Sequence, residues 1–77
     1  MIHSRFAEFL NMKKAIAVKL GLSIRSPKLG KIARVVYKRT KEIFSDKTSV
    51  EIYKLGLEHF EQNMSHYKQL YYSYYNL

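Results

Sequence analysis

TSVEIYKLGLEHFEQNMSHYKQLYYSY, residues 48–74, is the stretch that decides how this chain folds. It opens on Thr48-Ser49-Val50-Glu51, a capping box in which the threonine hydroxyl and the glutamate carboxylate each satisfy an amide at a helix start. Val50, Tyr53, Leu57, Phe60, Met64, Tyr67, Tyr71 and Tyr74 then follow at spacings of 3, 4, 3, 4, 3, 4 and 3. That period draws one apolar seam along one side of a helix. The spacing predicts a single helix over 49–74, about 37 Å long at 1.5 Å per residue.

Working back along the chain, Ser45-Asp46-Lys47 leaves room only for a sharp turn. Before it, Ser26 as N-cap and Pro27 at the first helical position predict a helix over 27–44. Leu29, Ile32, Ala33, Val36, Tyr37, Ile43 and Phe44 share one arc of it, and Lys31, Arg34, Lys38 and Lys41 the opposite arc, with Val35 and Glu42 on the flank. A first helix is predicted over 5–20, with Ser4 as N-cap and Gly21 as the C′ stop. Phe6, Phe9, Ile16 and Leu20 lie near one face of it, while Ala7, Ala15 and Val18 fall outside that face. No strand is expected. The reading is all-α: one domain over 1–77, three helices, and a C-terminal helix longer than its neighbours can cover.

Seventy-seven residues leave room for a small core and no more than one domain. Without cysteine, neither a disulfide nor a thiolate metal site is available. The opening MIHSRFAEFLNMKK has no long apolar segment and no cleavage pattern, so no signal peptide is read and an intracellular setting, a nucleus or a virion, is expected. The longest apolar run, Ala15 to Val18, is far too short to span a bilayer.

The formal charge of +8 is unevenly spread. Residues 1–47 carry 12 Lys/Arg against Glu8, Glu42 and Asp46, a net of +9; residues 48–77 carry Lys54 and Lys68 against Glu51, Glu58 and Glu61, a net of −1. One half is therefore a candidate polyanion-binding surface, and the other is structural. On the second helix the like charges at i,i+3 and i,i+4 repel by a few tenths of a kcal/mol per pair. Two readings of that arc stand: a solvated face that keeps a small protein soluble, or an anion-binding face. Glu would be interspersed for the first purpose.

No catalytic constellation is present. Gly21, Gly30 and Gly56 are isolated, so no phosphate-cradling loop is formed, and His59 and His66, seven residues apart, lack the partners of a zinc site. No enzyme, cofactor or metal is expected.

Phe6-Ala7-Glu8-Phe9, Leu22-Ser23-Ile24, a Lys-rich second helix with a bulky aromatic, and a long helix carrying Tyr53, Leu57, Phe60-Glu61 and Tyr67 together resemble the high-mobility-group box. The resemblance covers about residues 5 to 70. It implies an L of three helices that binds double-stranded DNA in the minor groove and bends it. It places Phe6 and Ile24 as wedges between base steps, Phe9 in the core, and Lys31, Arg34 and Lys38 near phosphates. The family's Trp in the second helix is absent, with Val35 and Tyr37 nearby, and so is the basic arm that lies along its third helix.

The leading expectation is a non-enzymatic, largely sequence-tolerant DNA-binding and DNA-bending architectural protein of chromatin type. Lys28, Lys31, Arg34, Lys38 and Lys41 would hold phosphates, and Phe6 and Ile24 would act as wedges. The alternative is a structural helical protein, a virion or scaffold component, self-associating or binding a protein partner through Tyr67, Tyr71 and Tyr74. A third reading lays the second helix on an anionic membrane, but its apolar side is better used as core.

Overall fold

A computed structural model describes residues 4–75, with side chains over 5–73. The described chain is all-helical: α1 (Ser4–Leu20), α2 (Pro27–Ile43), α3 (Ser49–Gln62) and α4 (Met64–Tyr75). The first two helices fall within a residue of the expected bounds. The predicted single helix over 49–74 does not form. It breaks at Asn63, so there are four helices rather than three.

The break has a local cause. Asn63 sits at φ −126°, ψ 30°, outside helical geometry, and its amide N–H is shared between the carbonyls of His59 and Phe60. Its side-chain amide donates to the His59 carbonyl at 2.9 Å. A short polar side chain that satisfies a preceding carbonyl offers the backbone an alternative to the next helical turn. The 3-4 seam runs through the break without signalling it, because the seam reports only which residues are apolar.

The consequence is tertiary. A straight helix would carry its last three turns past the domain, whereas the bend at Asn63 lays α4 against α2 as well as α3. The extended L that the resemblance implies is replaced by a packed unit of 38 × 24 × 18 Å.

The end of α1 and the start of α3 are built from the expected chemistry. Gly21 has φ +69° at the end of α1, a conformation that costs a residue with a Cβ. There Leu22 N–H bonds to the Ala17 carbonyl at 2.8 Å and Gly21 N–H to Val18 at 3.2 Å, the two bonds of a Schellman motif. Ser26 holds the N-cap position of α2 with Pro27 next to it, although its hydroxyl makes no capping bond. At α3 both halves of the capping box form: Glu51 N–H donates to Thr48 Oγ1 at 3.3 Å, and Thr48 N–H to Glu51 Oε1 at 3.0 Å. The Thr48 N–H and, at 3.1 Å, the Thr48 hydroxyl both donate to the Glu51 carboxylate and hold it below its ordinary pKa.

The core is Met12, Ile16 and Ala17 from α1, Leu29, Ile32, Ala33 and Val36 from α2, Ile52 and Phe60 from α3, and Tyr67 from α4. Phe9 packs against Tyr53, Met12 against Gly56, and Lys19 pairs with Glu61 at 3.6 Å, so α1 and α3 run side by side in the same direction. The most buried line of α3 is Ile52, Gly56 and Phe60, of which only Phe60 belongs to the seam read in the sequence. Thr40, also buried, satisfies its hydroxyl on the Val36 carbonyl at 2.7 Å.

Gly56 marks where three helices meet. A Cβ there would lie 2.7 Å from Met12 Sδ, 3.5 Å from Val36 Cγ1 and 3.7 Å from Thr40 Oγ1. The thioether can swing aside, and alanine recovers the roughly 1 kcal/mol of helix propensity that glycine forfeits, so Gly56→Ala is expected to be near neutral. Gly56→Val adds two methyls toward Val36 and Thr40. It should destabilise by about 1 to 3 kcal/mol, read as a lower urea midpoint. Equal midpoints for the valine and alanine variants would show that the helices do not meet closely at this point.

Candidate nucleic-acid interface

The apolar side of α2 orients its cationic side. With Leu29, Ile32, Ala33 and Val36 all fully buried, Lys31, Arg34, Lys38 and Lys41 turn outward, and all four are exposed. From Lys31 to Lys41 the row runs about 15 Å along the helix, at 1.5 Å per residue. Lys28, in the first turn, is half-buried. Arg34 and Lys38 have no carboxylate partner among the described residues. Glu42 is the one acid on the helix, near its end.

Arg39 is a cation of a different kind. It is half-buried, its guanidinium contacts the ring nitrogen Nε2 of His66, and it lies 5.7 Å from the centre of the Tyr67 ring. It clamps α4 onto α2 and is not part of the outward row.

The row leads onto a run of aromatic rings. Tyr37 borders it, with Lys41 Nζ 6.0 Å from the centre of its ring. The Tyr37 and Tyr53 rings are 4.8 Å apart, and Tyr53 and Phe9 5.3 Å, so α2, α3 and α1 each give one ring. Lys13 Nζ lies 5.9 Å from the centre of the Phe9 ring. Beyond Phe9, Arg5, Phe6, Phe9 and Tyr53 line an open cleft of about 350 Å³. In the sequence the only trace of this path is Lys13, a cation on the same side of α1 as Phe6, Phe9, Ile16 and Leu20. The link to Tyr53 needed the packing of α1 on α3.

The two expected wedges are both outside the core. Phe6 is 68% exposed in the first turn of α1, and Ile24 is 39% exposed in the turn between α1 and α2. They are not brought together: Phe6 and Leu20 alone are about 21 Å apart along α1, and Ile24 lies past Leu20. Any base steps they met would be separate ones. Phe9 is half-buried, packed on the core.

The expected interface on the C-terminal helix is altered by the bend. Tyr67 is fully buried and belongs to the core, not to an outer surface. Its Oη is 2.7 Å from His59 Nε2, and its ring packs on Phe60 at 5.7 Å. Tyr71 is half-buried, and the side chain of Tyr74 lies outside the described residues. His59 and His66, which sequence spacing separated from any zinc site, both pack against Tyr67. The Asn63 amide lies 3.3 Å from His59 Nδ1, which therefore accepts, leaving Nε2–H to donate to Tyr67. Burial first, then the nearby Arg39 and His66, hold His59 below its ordinary pKa, and burial raises that of the Tyr67 phenol.

Among the described residues, no three His, Asp or Glu side chains gather where they could hold a metal ion, and no helix is long and apolar enough to cross a membrane. The chain matches no family model, no curated protein and no solved structure.

Proposed function

We propose that this chain is a non-enzymatic, largely sequence-tolerant DNA-binding protein that holds the phosphate backbone along the outer face of α2. The observation that carries the reading is the row Lys31, Arg34, Lys38 and Lys41, exposed over four consecutive turn positions of a helix whose other side is locked into the core. A rigid row of cations with like neighbours at i,i+3 and i,i+4 costs stability in isolation. Phosphates offset that cost, since duplex DNA presents one charge per about 1.7 Å of axis.

The bending activity implied by the resemblance to the high-mobility-group box rests here on Phe6. A phenylalanine left in solvent on the basic half is the side chain such a protein would push between base pairs. Ile24, at the other end of α1, would act at a different step. The self-association reading loses Tyr67, which is committed wholly to the interior.

A salt titration tests the proposal. Binding of a 20-base-pair duplex should weaken as salt rises, with log K against log salt falling at a slope of roughly −3 to −4, about −0.9 for each of four phosphate contacts. A slope near zero, or no binding at 50 mM salt, would remove the phosphate row from the account. Loss of bending in Phe6→Ala, read by end-to-end fluorescence transfer with binding retained, would assign the wedge.

A further inference from the structure

We infer that the aromatic cleft at the start of α1 receives an unpaired base, so that the preferred ligand is single-stranded or locally opened DNA rather than closed duplex. The inference rests on nucleic-acid binding along α2 and names the state of the nucleic acid that this face selects.

The rings form a path. Tyr37, Tyr53 and Phe9 follow one another at 4.8 and 5.3 Å, starting beside the cationic row of α2 and ending in the cleft lined by Arg5, Phe6, Phe9 and Tyr53. Proteins that hold single strands combine a positive track for the backbone with aromatic faces on which bases stack. Both parts are present and adjacent. Lys41 flanks the first ring, Lys13 flanks the Phe9 ring, and Arg5 stands in the cleft wall.

Packing does not account for the last member. Phe6 adds nothing to the core and is 68% exposed, yet it forms a wall of a concave apolar site. The cleft, about 350 Å³, is within the size range of small-molecule sites and far below a protein groove. Its charge favours a polyanion over an apolar peptide. The nearest carboxylate on α1, Glu8, projects about 100° round the helix from Phe9. In a closed duplex the base faces are hidden in the stack. Only an unpaired or extruded base offers its face to this cleft.

Three probes of equal length distinguish the parts: a 20-nucleotide oligothymidylate, an abasic strand with the same phosphates, and a 20-base-pair duplex, each at 50 and 150 mM salt. Stacking in the cleft should make the wild-type chain bind oligothymidylate roughly tenfold more tightly than the abasic strand. In Phe6→Ala that ratio should fall toward one. Proton NMR of the wild-type chain should show the Phe6, Phe9 and Tyr53 ring resonances moving on addition of oligothymidylate but not of the abasic strand. Equal affinity for the two strands, with unmoved ring resonances, would overturn the base site while leaving the phosphate row intact. A Phe6→Ala chain that keeps the tenfold ratio, or a wild-type chain that binds the closed duplex more tightly than oligothymidylate, would overturn it too. Failure to bind any of the three would overturn both proposals together.

Discussion

Replacing Tyr67 by alanine should cost about 3 to 5 kcal/mol, the range for removing a fully buried aromatic ring. In a chain whose whole stability is of the order of 5 to 15 kcal/mol, that brings the domain to the edge of unfolding at body temperature. The loss is expected to be large because Tyr67 is the joint between three helices. Its ring sits on Phe60 of α3 and beside Arg39 of α2, and its hydroxyl meets His59 at 2.7 Å. Tyr67→Phe keeps the ring and removes only the hydroxyl, and should cost about 1 kcal/mol. Urea unfolding of the pair checks this. If the alanine variant unfolded within about 1 kcal/mol of the wild type, α4 would not be docked as described, and the straight helix read from the seam would be restored.

The same joint gives the domain a pH dependence with a definite sign. His59 is held below its ordinary value, so in a window below about pH 6.5 the unfolded chain takes up a proton that the folded chain resists. Stability is then whole above that window and falls as the pH drops through it. The geometry agrees. A proton on Nδ1 would face the Asn63 amide donor, and the imidazolium would face Arg39 from α2 and His66 from α4. Thermal melts at pH 7.5 and 5.5 should show the acid loss in the wild type and a smaller one in His59→Gln. An equal loss in both would place the acid sensitivity elsewhere.

How far the fold could be read from the residues follows from what each signal measures. Gly21, Pro27 and Thr48 with Glu51 fix backbone conformations locally, and the helix ends fall where those residues stand. The core of α2 was legible for the same reason: Leu29, Ile32, Ala33 and Val36 form a clean stripe. The break at Asn63 was not, since asparagine inside a helix is only mildly unfavourable and an unbroken apolar seam outweighs it. Gly56 carried a signal that was passed over, because glycine amid a strong helix pattern marks close approach. Met12 was missed because it stands off the line drawn through Phe6, Phe9 and Ile16. The cationic row was legible in full, while the aromatic path beside it depends on α1 and α3 lying side by side, which no local pattern encodes.

Reversing Arg34 and Lys38 together to glutamate should lower duplex affinity roughly a hundredfold at 50 mM salt and reduce the salt slope by about 1.8 units, two contacts at 0.9 each. A solvated-face reading also predicts weaker binding, through the loss of net charge alone. A second double reversal with the same charge change, Lys47→Glu with Lys68→Glu, separates the two. Both lysines are exposed and lie off the α2 row. If the row holds phosphate, this control should lose less than tenfold and keep most of its slope. Stability moves the opposite way from binding. In the wild type Arg34 has Lys31 at i−3 and Lys38 at i+4, and Lys38 has Lys41 at i+3 and Glu42 at i+4. Carboxylates at positions 34 and 38 turn the repulsions with Lys31 and Lys41 into attractions, still repel each other, and turn the Lys38–Glu42 attraction into a repulsion; that leaves one pair reversal in the variant's favour, a few tenths of a kcal/mol. The variant that binds DNA worst should therefore melt slightly higher than the wild type. A chain kept soluble by charge alone has no reason to carry that strain on one helix face. Equal losses of affinity in the two double variants would reduce the row to bulk charge and end the case for a phosphate site on α2.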